Sequence, residues 1–171
     1  DEIARRAEVS RATFFRHFGS KGEVVFRGHD CGALRRAVLA RPSAEGDLLA
    51  AAGAVREGWL PTLEPRRVAR QTRAAATSPV LRGLSHDLDH LLRGTMSQAL
   101  AERRGLAGPD HRCVMVSSVV FAAFSDAVNT WVYQRRERGS LASAVDRSFA
   151  MLRELSVEFV RQSASAPQRS G

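Results

Sequence analysis

Basic and aromatic side chains are concentrated between Arg11 and Lys21, where they would suit contact with a polyanion. On a helix, Phe14 and Phe18 share one face because they are four residues apart. That face must pack on a neighbouring element, so the other side chains point outward. The outward residues are Arg11, Ala12, Phe15 and Arg16. Guanidinium groups on an exposed helix can bind both the phosphates and the base edges of a nucleic acid.

The run His86-Asp87-Leu88-Asp89-His90 contains residue types that bind metal ions. His86 and His90 lie four residues apart, so on a helix both could reach one ion, with Asp87 or Asp89 as a further ligand. The His-Asp doublet also resembles that of HD-type metal phosphohydrolases. That class needs further His and Asp ligands, which we do not find in the sequence, so we interpret the run as a solvated helix face. We expect no metal, no cofactor and no enzymatic activity, with a metal-dependent hydrolase as the alternative.

Polar residues interrupt an apolar stretch between Val114 and Val132. They are Ser117, Ser118, Ser125, Asp126 and Asn129. Buried polar groups need partners, and a bound small molecule can supply them. The alternative is that the serines bond their own helix backbone, while Asp126 and Asn129 lie at a dimer seam. With aromatic walls added, the predicted ligand-binding residues of a partly apolar effector are Trp59, Phe121, Phe124, Ser125 and Asn129.

Two short helices must position the basic residues near the start of the chain. Apolar residues at helical spacing predict the first helix over Asp1–Ala7. After a short turn, Ser10 caps a second helix that runs from Arg11 to about His17. Such a pair, with an apolar inner face and a basic outer face, is a helix-turn-helix whose second helix can enter a DNA major groove.

The rest of the chain contains only helical patterns, so the predicted fold class is all-α. Ser20 and Glu23 form a capping box, which predicts a helix to about Ala40 with Leu34 and Val38 turned inward. Further helices are predicted over 43–59, 66–77, 79–104, 110–138 and 141–162. We predict a helix-turn-helix domain with its connecting helix over 1–40, a helical effector-binding and dimerisation domain over 41–162, and a flexible tail over 163–171.

Two of these helices have more apolar surface than one subunit can bury. The stretch from Val114 to Val132 is apolar around most of its circumference, as expected of a helix buried on several sides. The last helix carries an apolar stripe at near-heptad spacing. Its members are Val145, Phe149, Leu152, Leu155 and Phe159. We therefore predict a homodimer held by the last two helices, with this stripe in the interface.

Composition agrees with a DNA partner but adds little. The formal net charge of +8 favours binding to a polyanion. Residues 1–30 hold six basic and five acidic residues, however, so the charge is not focused on the basic segment. No apolar stretch of the ~18–20 residues that span a bilayer is apparent, and we expect a cytoplasmic protein without a membrane partner. Two cysteines, Cys31 and Cys113, are too few for a disulfide framework or a structural zinc site.

The run IARRAEVSRATFFRHFGSKGEVV resembles the DNA-binding segment of the TetR family of bacterial transcriptional repressors. Its most specific part is T-F-F-R-H-F-x-S-K, from Thr13 to Lys21. The resemblance implies that Thr13, Phe15, His17 and Lys21 hold phosphates. It also implies that Arg11, Ala12 and Arg16 face base edges. The sequence departs from the family pattern at two positions, with Phe15 where Tyr is usual and Glu8 where the turn usually has Gly.

The same resemblance implies a two-state switch. A dimer would bind a palindromic operator, and a small effector in the C-terminal domain would favour a form that releases the DNA. The family begins with a further helix that this sequence does not contain, so we expect the sequence to be a piece of a longer protein. The remaining alternative from a different class is a dimeric binding module without DNA affinity.

Overall fold

The structure, a computed structural model, describes Ser10 and the residues 29–134 and 139–165. Over these ranges the chain forms helices and no strand, which confirms the all-α prediction. The helices are α1 (Cys31–Leu39), α2 (Asp47–Gly53), α3 (Pro65–Thr77), α4 (Pro79–Arg103), α5 (His111–Tyr133) and α6 (Leu141–Ser165). The predicted helix-turn-helix lies outside the described residues, apart from its predicted cap Ser10.

The predicted continuous helix from Ser20 to Ala40 is wrong at residues 29 and 30, which are not helical. Asp30 has an extended backbone (φ −79°, ψ 92°), and its carboxylate accepts a 2.8 Å hydrogen bond from the backbone N–H of Ala33. An Asp in this position caps a helix N-terminus and so starts α1 anew. That same hydrogen bond lowers the pKa of Asp30. Leu34 and Val38 are fully buried, as predicted.

The next predicted helix, over 43–59, begins later than expected and changes type. The residue before α2 is Gly46, which has no side chain with which to cap it, and the residues 43–45 form a turn. After Gly53 the chain continues as a π-helical segment, Ala54–Trp59. The N–H of Leu60 donates to the carbonyl of Val55, five residues earlier, and a 3₁₀ turn over Leu60–Thr62 follows. Short π-helical segments are often found at functional sites.

The starts of the next three helices lie within one residue of their predicted positions. Ser78 caps α4 by accepting from the N–H of Leu81 at 3.4 Å, and Asp110 caps α5 by accepting from the N–H of Cys113 at 2.8 Å. Gly105, with a φ of +69°, ends the turn after α4 in a conformation that favours glycine. The predicted extension of the fifth helix to residue 138 is wrong, because Gln134 is already outside α5.

The described core is centred on α4 and α5, which α1, α2, α3 and α6 surround. Its largest fully buried side chains include Trp59, Met96, Leu100 and Phe121. By length and mean hydropathy (1.5), α5 could cross a membrane, which corrects the expectation that no stretch of the sequence reaches that length. The central helix of a folded core has the same property, and Phe121 is 1% exposed inside the described core.

Candidate functional site

A cavity of about 470 Å³ opens between α3, α4, α5 and the end of the π-helical segment. Its size falls in the range of small-molecule sites. All five residues predicted to bind an effector border this one cavity. They are Trp59, Phe121, Phe124, Ser125 and Asn129. The structure therefore brings together residues that stand on two different helical elements and are up to 70 positions apart in the sequence (129 − 59).

Three aromatic rings form the inner corner of the cavity. Trp59 lies 5.4 Å from Phe124 and 6.0 Å from Phe121, measured between ring centroids, and the Phe121 contact is edge-to-face. The two phenylalanine rings are also edge-to-face, at 6.2 Å. These are the distances and angles that aromatic pairs favour, so the corner is a packed and preformed wall. The ring of His29 is also near Trp59, at 6.3 Å between centroids.

Three polar side chains at the cavity have no hydrogen-bond partner among the described residues. The indole Nε1–H of Trp59 is buried and has no hydrogen-bond acceptor among the described residues. Ser125 and Asn129 make no side-chain hydrogen bond within the part of the chain that the structure describes. The indole N–H of Trp131, by contrast, donates to the carbonyl of Gly139 at 3.1 Å. The cavity thus presents donors and acceptors that a bound molecule can satisfy.

The far end of α5 closes one side of the cavity. The hydroxyl of Tyr133 donates to the carbonyl of Thr72 on α3 at 3.2 Å. The hydroxyl of Thr72 donates to the carbonyl of Val68, one turn earlier, at 2.9 Å. The Tyr133 bond therefore joins α3 and α5 at this end, while the Thr72 hydroxyl is engaged within α3.

The residues that α3 contributes to the cavity were not predicted from the sequence. Val68, Gln71 and Ala75 are buried and border the cavity. Their i, i+3, i+7 spacing was a usable helical signal, but the many arginines of α3 obscured it. His29 and Tyr133 also border the cavity, and nothing in the local sequence pattern distinguishes either residue.

The His86–His90 run splits between two environments. His86 and Asp89 border the cavity, while His90 is exposed and does not. Asp89 is paired with Arg93 at 2.7 Å. No group of three or more His, Cys, Asp or Glu side chains suited to a metal ion occurs among the described residues. In that part of the chain, the hydrolase alternative therefore lacks the ligand set that it needs.

Near the start of α5, the carboxylate of Asp47 and the hydroxyl of Ser117 have partners within the protein. Asp47 is buried, and its carboxylate accepts from Arg112 at 2.7 Å and from Arg103 at 3.5 Å. The hydroxyl of Ser117 donates to the carbonyl of Cys113 at 2.7 Å and shares a 2.8 Å hydrogen bond with Ser97. For Ser117, bonding to its own helix backbone is thus the arrangement observed, and Asp126 accepts from Ser148 rather than bordering the cavity.

The predicted dimer stripe on α6 is buried within its own subunit at one end and exposed at the other. Val145 is fully buried in its own subunit, so it presents no surface to a partner. Phe149 and Leu152 are half-buried, and Leu155 is 56% exposed. From residue 151 onward, α6 leaves the core. Its exposed apolar side chains there are Met151, Leu155, Val157, Phe159 and Val160.

The predicted DNA-binding residues lie outside the described residues. They are Arg11, Ala12, Thr13, Phe15, Arg16, His17 and Lys21. This segment is where a comparison with known proteins finds its match: the family model for bacterial regulatory proteins of the tetR family matches residues 1–27. No curated protein matches the chain. The match supports the helix-turn-helix resemblance, and it indicates a DNA-binding transcriptional regulator of the tetR family.

Proposed function

We propose that this regulator is a non-enzymatic repressor of the cytoplasm that leaves a palindromic operator when a small, partly apolar molecule occupies the cavity. The observation that carries the proposal is the position of the cavity. His29 borders it and directly follows the segment 1–28, in which the matched helix-turn-helix lies. A molecule that displaces the aromatic corner would therefore act on the connection to the DNA-binding segment.

The packing of α1 against the π-helical segment supports a mechanical link. A Cβ atom built at Gly58 would overlap the Cβ of Ala37 on α1, so the two backbones approach as closely as glycine allows. Trp59, which borders the cavity, is the next residue. A shift of the π-helical segment is therefore passed directly to α1, and α1 begins only two residues after His29. The π-helical segment would then have two positions, one with the cavity empty and one with it filled. A ligand shifts the balance between them only if it binds one position more tightly than the other.

The unpartnered end of α6 supports the homodimer. An open groove of about 960 Å³ lies between α2 and α6, with Leu49 on one wall and Phe149 and Leu152 on the other. Leu49 is 62% exposed, and the apolar face of α6 continues past the groove to Phe159. An exposed apolar helix face of this length is typical of a protein–protein contact. A second copy of the chain could pack its own α6 against this face. The exposed apolar side chains of both copies would then be buried in one symmetric interface.

Selection of operator DNA from random duplexes by the full-length protein tests the DNA-binding part. We expect enrichment of a palindrome. Arg11→Ala should then relax base preference at one position of each half-site, at a cost of about 1–3 kcal/mol, while Lys21→Ala should weaken all sequences alike. Failure to enrich any sequence would favour the dimeric binding module without DNA affinity. Equal losses on every operator variant would show that Arg11 does not read bases.

The variant Phe149→Arg tests the dimer. Each subunit would bring one unpaired charge into the interface, and a buried unpaired charge costs several kcal/mol. We expect sedimentation of a monomer and loss of specific operator binding, with weak, salt-sensitive binding left. Val80→Arg is the control, because Val80 is 71% exposed at the start of α4. A folded, dimeric and operator-specific Phe149→Arg protein would place the interface elsewhere.

A further inference from the structure

The lining of the cavity changes from buried and apolar at one end to exposed and polar at the other. At the first end, Trp59, Leu92 and Phe121 are at most 4% exposed. At the second end, Arg82 of α4 and Asn129 of α5 are exposed, although both border the same cavity. The first end is the floor of the cavity, and the second end is its mouth.

The antiparallel packing of α4 and α5 produces this change. Arg104, just after α4, donates to Asp110, just before α5, at 2.8 Å, and Ser97 shares a 2.8 Å hydrogen bond with Ser117. Residue numbers therefore rise along α5 as they fall along α4, and the same register places the start of α4 beside the end of α5. The mouth lies at these two helix ends, and the floor lies towards the buried middle of both helices.

The α3 helix shows the same change along its length. Val68 is 8% exposed, whereas Ala76, near the end of α3, is exposed, and both residues border the cavity. Because α4 begins at Pro79, directly after the Ser78 cap, Ala76 and Arg82 lie on either side of one turn. The mouth is therefore the opening beside the turn between α3 and α4.

The charged groups of the lining leave one cation without a partner. Among the described residues that border the cavity, Arg82 supplies the one guanidinium group and Asp89 the one carboxylate. Asp89 forms an ion pair with Arg93 at 2.7 Å. Arg82 makes no ion pair and no side-chain hydrogen bond within the described part of the chain. The histidines of the lining, His29 and His86, carry no negative charge, so the lining favours an anion over a cation.

The mouth suits a carboxylate in particular. A guanidinium group can donate two parallel N–H bonds to one carboxylate, and an ion at an open mouth keeps part of its hydration. An ammonium group would instead meet Arg82 as a like charge, and it would have to displace Arg93 from Asp89 to gain a partner. The floor, with Leu92 and Phe121, favours an apolar group. The two ends of the cavity thus select the two ends of one molecule.

We infer that the cavity takes an amphipathic carboxylic acid, with its apolar body on the floor and its carboxylate bound by Arg82 at the mouth. The inference rests on the proposed function, because it names the class of effector that would occupy the same cavity. Ser85 and His86 lie three and four positions after Arg82, so they share its face of α4, and both border the cavity. The hydroxyl of Ser85 and the ring of His86 can donate to the same carboxylate.

Three probes with one apolar body test the inference: naphthylacetate, naphthylacetamide and naphthylethylamine. The first is an anion, the second is its neutral isostere, and the third is a cation of similar length. Isothermal titration calorimetry of the full-length protein measures the three affinities. We expect the acid to bind about fivefold more tightly than the amide, the upper range for an ion pair at an exposed site, and the amine to bind most weakly. Added salt should reduce the preference for the acid, because charges at an open mouth are screened.

Substitutions assign the preference to Arg82. Arg82→Gln keeps most of the side chain but removes its charge, and it should make the acid and the amide bind equally well. Arg82→Glu should reverse the order, so that the amine binds more tightly than the acid. Arg73→Gln is the matched control and should keep the preference, because Arg73 is exposed on α3 and does not border the cavity. Ser125→Trp, which places a ring inside the cavity, should abolish binding of all three probes.

Several results would each overturn the inference. For the unsubstituted protein, they are equal affinities for the acid and the amide, tightest binding of the amine, or no binding of any probe. For the variants, they are a preference that survives Arg82→Gln, an order that Arg82→Glu leaves unchanged, an equal loss of preference in Arg73→Gln, or binding that survives Ser125→Trp.

Operator binding, measured on the same samples, separates this inference from the proposed function. If the acid binds with the expected preference and dependence on Arg82 but leaves the operator affinity unchanged, the ligand class stands and the coupling to DNA is wrong. If the acid and the amide release the operator equally well at equal concentrations, the coupling stands and the role of Arg82 is wrong.

Discussion

Ser117 and Ser125 lie about two turns apart on α5, yet their hydroxyl groups have different surroundings. Ser117 is 1% exposed and takes part in hydrogen bonds to Cys113 and Ser97. Ser125 borders the cavity and has no side-chain hydrogen bond within the described residues. In the first half of α5, the Ser117 hydroxyl thus has hydrogen-bond partners within the protein, and these bonds stabilise the fold. In the second half, Ser125 and Asn129 at the cavity have no side-chain hydrogen bond within the described residues and could bond to a ligand.

The same contrast extends to the neighbours of each half. Near the start of α5, the buried carboxylate of Asp47 is surrounded by Arg103, Arg104 and Arg112. Against the middle of α5, where its ring contacts Phe121 and Phe124, the indole N–H of Trp59 has no acceptor among the described residues. A protein that only had to be stable would gain from pairing the second group as well.

The largest expected effect is a loss of stability near the start of α5, where the buried carboxylate of Asp47 is paired with arginines. Asp47→Ala would leave the three arginines around it without their shared carboxylate, and removing one partner of a buried ion pair costs about 3–5 kcal/mol. We expect a loss of that order in the free energy of unfolding, measured by denaturant titration. Asp87→Ala is the control, since Asp87 is exposed and makes no ion pair within the described part of the chain. A loss below about 1 kcal/mol for Asp47→Ala would mean that the arginines rearrange easily.

The next effect concerns the link between the cavity and α1. Gly58→Ala would force the π-helical segment away from Ala37, and overpacking of this kind costs about 1–3 kcal/mol. Gly94→Ala makes the same chemical change on the exposed side of α4, where a Cβ meets nothing within 4 Å, and should stabilise by up to about 1 kcal/mol. Opposite signs in the two unfolding free energies are the expected result. A stabilised Gly58→Ala protein would show that this contact is not tight.

Alanine variants of Ser117 and Ser125 test whether the two halves of α5 differ in their hydrogen bonding. Ser117→Ala removes two buried hydrogen bonds and should cost about 1–2 kcal/mol of unfolding free energy. Ser125→Ala removes none within the described residues and should change stability by less than about 0.5 kcal/mol. Thermal and denaturant unfolding of both variants gives the answer. Similar losses for the two would mean that Ser125 has a structural partner, and the distinction between the halves of α5 would fail.

The smallest effect is a pH dependence at the start of α5. The backbone N–H of Cys113, aided by the Cys113 side chain and by Arg104, lowers the pKa of Asp110 from 3.8 to about 2. A depressed pKa in the folded state means that Asp110 stabilises the fold fully above about pH 4 and loses this contribution as the pH falls towards about 2. Asp110→Asn keeps a capping side chain but cannot lose a proton. The stability difference between the two proteins should shrink over that interval, and parallel pH profiles would contradict the assignment.

The sequence predicted most of the helices because their signals are local. Ser78 and Asp110 cap the helices that they were expected to cap, and the buried faces of Leu34 and Val38 follow from helical spacing. The failures have local causes too. At residue 30, capping by Asp30 was stronger than the helical pattern, and the π-helical segment has no recognised signature in the residue types of 54–59.

The candidate site was predictable only in part. Phe121, Phe124, Ser125 and Asn129 were identifiable because polar and aromatic residues stand out on one apolar helix. The contributions of α3 and of His29 depend on how separate helices meet, which no spacing within one segment reveals. The burial of Val145 has the same cause: a stripe on a helix does not say whether its own subunit or a partner covers it.

The most direct test of the account fills the cavity covalently and needs no knowledge of the natural ligand. In a protein with Cys31→Ser, the variant Ser125→Cys is labelled with a benzyl maleimide, and its operator affinity is compared before and after labelling. Asp126→Cys, one position along α5 and exposed, is the matched control. We expect labelling at residue 125 to weaken operator binding by about tenfold or more, a typical coupling between sites, and labelling at residue 126 to leave it unchanged. Unchanged operator affinity for both labelled proteins would contradict the claim that occupation of this cavity controls the DNA-binding segment.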